Sequence, residues 1–262
     1  MIVDYGHFSA RLANQTDRWS LLAEFQREWG FTDTDAEPWT AADLTADFTA
    51  VHGFEPPAAL VEWLSWPYNS FNVRCELYWA HLEWPEPDDP ELTDLDYRRL
   101  DPERQVISFM AEYQYCNRWG FRVADARLAD PPVYLSRTDD DIEDDWVLQD
   151  GSVSEWALHF AAVRVPRSLG WEGWYSGDVD DDLLGRLRAA YPDLGLPSWT
   201  ELEGVSTLYG GPDVIIDHAR GHWDRELSIC GRTRDAVLAV GDRLGLDLGS
   251  VTAPRTSESI DA

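Results

Sequence analysis

The hydrophobic positions of this chain change period twice along its length. From Thr16 to Trp29 the run TDRWSLLAEFQREW sets Trp19, Leu22 and Trp29 on one helical face with Leu21 and Phe25 beside it, and Gly30 follows as a stop. A second helix is predicted after Thr40, where Thr40 and Asp43 make an S/T-x-x-D/E capping signature ahead of Leu44, Phe48 and Val51, with Gly53 ending it. A third, short helix follows Pro56 and Pro57, since a proline in the first turn has its φ already set; Leu60, Val61 and Leu64 are its inward residues.

The period then shortens to two. Val73, Cys75, Leu77 and Trp79 alternate with Arg74, Glu76 and Tyr78, as in a half-buried strand. After the proline-rich and acidic stretch EWPEPDDPELTDLD, which reads as a loop, Ile107, Phe109, Ala111, Tyr113 and Tyr115 share one strand face and Trp119, Phe121 and Val123 another. These two runs predict an antiparallel hairpin. Asp130 precedes Pro131 and Pro132, which remove two backbone donors and hold the chain extended, so a third strand is expected to enter the sheet at a stiff corner. Trp146, Val147 and Leu148 predict one more strand.

The helical period returns in SVSEWALHFAAV. Ser152 and Glu155 form a capping box, and Val153, Trp156, Ala157, Phe160 and Ala161 make an apolar stripe over 153–162. Meander plus helix is an α+β unit. Past Pro166 the stretch GWEGWYSGD reads as a linker, then a helix from about Asp180 to Ala190, strands at VSTLY, DVIIDHA and WDRELSIC, and a helix over 234–244 with Ala236, Val237, Val240 and Leu244 on one side. The last elements form either a small ββα appendage or an extension of the same sheet. The segments expected are an N-terminal helical extension (1–39), an α+β domain (40–165), a C-terminal helix plus ββα extension (166–248) and a disordered tail (249–262).

Composition narrows what such a chain can bind. It has 262 residues, 44% hydrophobic and 13% aromatic, enough for a packed core, with 49 acidic against 21 basic residues and a net charge of −28. All the basic residues are Arg. That field repels nucleic acid and anionic lipid and favours a partner with a basic surface, although a GC-rich coding sequence and the need for solubility also produce it. Cys75, Cys116 and Cys230 are too few and too scattered for a disulfide framework or a zinc knuckle and are expected to be reduced thiols. With no signal-peptide pattern at the N-terminus and no long apolar run, the expectation is a cytoplasmic protein without membrane contact.

Candidate chemistry is sparse. Asp139, Asp140, Asp141, Glu143, Asp144 and Asp145 could suggest a Ca²⁺ or Mg²⁺ loop, but the turn glycine and the distal bidentate Glu of a calcium loop are missing, so the run reads as a solvated loop able to face a basic partner. His218 and His222, four apart in HARGH, have zinc-pair spacing only on a helix; the alternating flanks argue for a hairpin instead. There is no G-x-S-x-G and no GK[ST]. Acid pairs for hydrolysis are abundant, yet nothing selects one. Trp171, Trp174 and Tyr175, set among glycines, are candidates for a partner-facing patch, with packing between the two halves as the other reading. The expectation is a non-enzymatic protein with no catalytic residues, cofactor or metal.

Four stretches occur in a recognisable order: GFEPPAALVEWLSWPYN, FMAEYQYCNRWGFRV, the corner ADPPVYLS, and WVLQDGSVSEWALHF. Over roughly 40–165 the chain resembles the SUKH superfamily, which includes the yeast cell-wall assembly regulator type. The resemblance implies a bacterial immunity protein that binds and neutralises a cognate polymorphic toxin, often a nuclease, and carries over no catalytic residue. The alternative is a regulatory or scaffolding module for an endogenous protein partner, as the eukaryotic-type members suggest. The N-terminal helix and the ββα segment depart from the minimal domain of that superfamily.

Overall fold

A computed structural model describes residues 3–30, 40–66, 78–80, 105–112, 117–137, 146–201, 204–220 and 226–254. The acidic run 139–145, His222, Cys75, Cys116, Tyr113, Tyr115 and most of the strand expected at 73–79 lie outside these residues. The fold is α+β, with two five-stranded antiparallel sheets. The chain forms two compact units: a middle unit, residues 33–156, and a composite unit built from residues 1–32 together with 157–262. The segments expected as separate N-terminal and C-terminal extensions thus fold together.

In the middle unit, helices α3 (Ala41–His52) and α4 (Ala58–Leu64) precede a meander of β1 (Tyr78–Ala80), β2 (Val106–Glu112), β3 (Asn117–Arg122), β4 (Val133–Arg137) and β5 (Val147–Asp150), ordered as in the chain. The Thr40 cap is made: its Oγ1 accepts from the Asp43 N–H at 3.1 Å. Gly53 ends the helix in the left-handed region at φ +76. Leu44 and Phe48 are buried as predicted, but Val51 is exposed, so the apolar stripe is one turn shorter than the spacing suggests. In α4 the buried residues are Ala59, Leu60, Trp63 and Leu64; Val61 is only partly covered, and the deepest side chain is Trp63.

The hairpin pairs Ile107 with Phe121 and then, across a bulge, Met110 with Trp119. The extra residue is Phe109, whose ring still reaches Trp156 at 4.9 Å, so one face gains an aromatic that strict alternation would not have placed beside Met110. Gly120 stands opposite the bulge, where a Cβ would come within 2.5 Å of the Ile107 carbonyl oxygen. The Asp-Pro-Pro corner delivers β4 as expected. Asp130 also ties this corner to the next helix, since its carboxylate accepts from the N–H and the hydroxyl of Ser154, at 2.9 and 2.5 Å.

Ser154 lies in the first turn of α5 (Val153–Leu169), which begins in the middle unit and continues into the composite one. Ser152 caps the helix as expected, the Glu155 N–H donating to its Oγ at 3.2 Å, while Glu155 Oε2 accepts from the N–H of Gly151, one residue before the donor of a capping box. The helix does not stop near 162. It runs through Pro166, because from Val153 to Pro166 all but Glu155 are buried, and burial on every side offsets the ~3 kcal/mol that a mid-helix proline costs. Within the middle unit Trp156 meets Trp63 (5.4 Å, edge-on), Phe109 and Trp119 (6.2 Å).

In the composite unit the stretch expected as a linker is a strand, β6 (Trp171–Tyr175). Helix α6 (Asp181–Ala190) follows, then β7 (Trp199–Glu201), β8 (Gly204–Gly211), β9 (Val214–Arg220), β10 (Leu227–Gly231) and helix α7 (Arg234–Leu244). The C-terminal strands and helix are as predicted, within a full sheet of order β6-β10-β9-β8-β7. Pro212 and Asp213, the latter at φ +66, make the tight β8–β9 turn. One sheet face packs Tyr209, Val214, Ile216, Leu227 and Ile229 against Leu183 and Leu187 of α6 and Val237, Val240 and Leu244 of α7. On the other face Arg167 of α5 reaches Asp217 of β9 at 2.5 Å, and His159 and Phe160 meet Trp199. Helices α1 (Phe8–Ala13) and α2 (Arg18–Glu28) complete this unit. The first residues of the segment expected as a disordered tail pack on the sheet instead, with Thr252 bridging to Glu172.

Candidate functional site

The two units treat their apolar surface differently. Val51 (40% exposed), Leu128 (50%), Val147 (51%) and Leu148 (63%) are the exposed large hydrophobic residues among those described, and all four belong to the middle unit. Three local features of that unit form its candidate surface, and Leu128, Val147 and Leu148 belong to two of them.

The first is a cleft of about 620 Å³ between the α3–α4 corner and the turn after β3. Phe54, Pro56 and Pro57 form one wall and Val123 and Leu128 the other, with Glu55 and Arg127 at its polar positions. The prolines fix the entry to α4, and beside the cleft the Ala59 N–H donates to the Ala129 carbonyl at 2.8 Å, joining the two segments. Its lining offers one carboxylate, Glu55, and one guanidinium, Arg127, among proline and apolar side chains. Glu62 on α4 has its carboxyl pushed above the ordinary range, first by burial and then by the neighbouring charge of Asp130.

The second feature is on the sheet. The Arg122 guanidinium stacks over the Tyr134 ring at 4.3 Å, and Arg118 lies over Trp146 at 5.4 Å while its Nη2 donates to Ser136 Oγ. The third is β5, the outer strand of the meander, where Val147 pairs with Leu135 and Leu148 with Tyr134.

The composite unit instead buries its polar groups in pairs. Glu28 at the end of α2 accepts from the Val3 N–H at 2.6 Å and the Tyr5 hydroxyl at 3.3 Å, and it holds the backbone of Asp213 in the β8–β9 turn. Burial pushes its carboxyl up, against the downward pull of those bonds. Burial likewise lowers His218 and raises Cys230, a free thiol inside the sheet.

Of the residues singled out from the sequence, the six acids of 139–145 are outside the described part. Trp171, Trp174 and Tyr175 are not one patch. As members of a strand they divide between its faces: Trp171 and Tyr175 pack against the α6–α7 side, Trp174 points to the opposite face, and all three are half-buried. His218 sits in β9 opposite Leu227 and Thr207, in keeping with the hairpin reading. Among the described residues no group of three or more His, Cys, Asp or Glu side chains is placed to hold a metal ion, and no helix is long and apolar enough to cross a membrane. Sequence reasoning missed the cleft and the exposed edge. Nothing in WVLQD distinguishes an apolar strand buried on both faces from one that ends a sheet.

Neither a protein-family model, nor a curated protein, nor a solved structure matches this chain.

Proposed function

We propose that this protein is a non-enzymatic binding protein of the immunity type, which occupies a basic toxin domain and blocks it stoichiometrically. The observation that carries this reading is the concentration of exposed apolar residues on the middle unit, the part of the chain with the SUKH-like motifs, within a molecule of net charge −28. Apolar contacts supply affinity once the surfaces meet, and the charge steers the encounter, raising association toward about 10⁸–10⁹ M⁻¹s⁻¹ at low salt. Binding needs no turnover, cofactor or metal; stoichiometric Zn²⁺ or Ca²⁺ in native mass spectrometry would contradict this.

The test is stopped-flow binding, with inhibition of activity, against the toxin domain encoded beside its gene. Equimolar protein should abolish the toxin's activity, and association should slow as salt rises toward 1 M, where the Debye length is about 3 Å, while dissociation changes less. Neutralising Asp139, Asp140, Asp141, Glu143, Asp144 and Asp145 together should slow association without unfolding the protein. Toxin that stays fully active in excess protein sinks the proposal.

A further inference from the structure

The face of the meander that carries Trp119 packs on Trp156, so the alternate residues of β3, Arg118, Gly120 and Arg122, lie on the other face. Tyr134 pairs with Gly120 on one side and with Leu148 on the other, which puts all three on that second face. Gly120 sets no side chain beside Tyr134, and Arg122, two residues on, lays its guanidinium over the ring at 4.3 Å. The face is not uniform. Around Arg118 it is closed: Arg118, Ser136 and Trp146 are all buried, and the guanidinium meets the Ser136 hydroxyl and the Trp146 ring. Around Tyr134 it is open: Arg122 is exposed, Tyr134 half-buried and Leu148 more than half exposed.

Arg122 differs from other guanidiniums of the chain in what it touches. Arg11 reaches Asp17 and Glu24, Arg167 reaches Asp217 and Arg232 reaches Asp213, each at 2.8 Å or less. Arg122 has no carboxylate partner among the described residues, in a chain with 49 acids. The tyrosine ring covers one face of its guanidinium and fixes the plane, while the N–H donors lie in that plane, where a carboxylate can meet two of them at once. Leu148 stands beside Tyr134 in the same row, so the group that accompanies the carboxylate must be apolar to cover it. A free inorganic anion would leave that leucine in water.

We infer that Arg122, Tyr134 and Leu148 form a specificity site for a protein partner, which receives one Asp or Glu side chain together with an apolar neighbour. The carboxylate pairs with the Arg122 guanidinium, and the apolar residue covers Tyr134 and Leu148; Arg and Tyr are side chains that dominate binding energy at such positions. This deepens the binding-protein reading and rests on it. On a partner surface that is otherwise basic, one acidic position sets the register, because any other docking brings Arg122 against a like charge.

The probe is an acetylated, amidated peptide, Lys-Gly-Leu-Glu-Leu-Gly-Lys, titrated against the full chain while the Arg Nε–H and backbone signals are followed by NMR. The control peptide carries Gln in place of Glu and is therefore the more positive of the two, so general attraction to an acidic chain favours the control. The site predicts that the Glu peptide nonetheless binds about fivefold more tightly, the scale of an exposed ion pair, and shifts the Arg122 Nε–H together with the amides of Tyr134 and Leu148. Arg122→Lys keeps the charge and loses the fork, and Tyr134→Leu removes the ring; each should abolish the preference for Glu while the rest of the spectrum stays as in wild type. Leu148→Ser should weaken both peptides alike. Equal binding of the two peptides, no saturable binding, shifts away from these residues, or a saturable Arg122 shift with inorganic phosphate at the same concentration overturns the inference. Leu148 signals that move on dilution of the protein alone would give the face to a second copy and overturn it as well. If the peptides are not told apart while the toxin is still neutralised, this site alone is wrong; if they are and the toxin stays active, the site stands and the immunity reading fails.

Discussion

At β6 the composite unit covers its outer strand with its own C-terminal segment, while at β5 the middle unit ends in Val147 and Leu148 facing water. The contrast extends inward. The composite unit pairs its buried charges, Arg167 with Asp217 and Glu28 with donors from Val3, Tyr5 and Asp213, so its polar groups serve its own cohesion. The middle unit relies on an aromatic cluster around Trp156 and keeps a cleft between two rigid segments. A surface that must hold a partner leaves apolar area exposed when alone, and one that only supports it has no reason to. On the proposed binding reading, recognition falls to residues 33–156 and support to the remainder.

That division can be broken most forcefully at Trp156. Trp156→Ala removes a fully buried ring in contact with Trp63, Phe109 and Trp119 and should cost about 3–5 kcal/mol in a denaturant melt. If the units differ as described, exchange protection is lost first in β2–β4 and retained in β8–β10. Loss in both at once would make the division false. Next in size is Arg167→Ala. It strands the buried Asp217 carboxylate, and because Arg167 is a third exposed the cost should be about 2 kcal/mol, below the ~3–5 of a fully buried pair. Arg167→Met with Asp217→Leu should recover most of it, and partner binding should be unaffected.

Asp130→Ala sharpens the comparison inside the middle unit. Losing both bonds to Ser154 uncaps the start of α5 and should cost about 1–2 kcal/mol, with Asp130→Asn in between. The smallest effect belongs to Glu28. Its carboxyl is held above its unfolded value by burial, so the folded protein binds that proton more tightly than the unfolded chain does. The associated stability is full below the unfolded pKa and is lost as pH rises through the higher folded one. Wild type should therefore weaken relative to Glu28→Gln across that window, read from paired urea melts at successive pH values. A flat difference, or one of the opposite slope, would mean that the donors from Val3 and Tyr5 outweigh burial.

The sequence by itself determined whatever depends on neighbours in the chain. Thr40, Asp180 and Thr233 cap helices because a side-chain oxygen need reach only three residues ahead, and the Asp-Pro-Pro corner is stiff wherever it is placed. Period two marked β2 and β3 for the same local reason. Tertiary structure alone decided the rest. Pro166 stays within a helix because distant residues bury it, and WEGWY is a strand rather than a linker because β10 pairs with it. Asp130 meets Ser154 across 24 positions of chain, and the N-terminal helices join a sheet that begins beyond residue 170. Above all, Val147 and Leu148 read like any buried apolar pair, and only the order of strands puts them at an edge. Periodicity says which residues share a face; it carries no information about what, if anything, lies opposite, because that is set by backbone pairing between segments far apart in the chain.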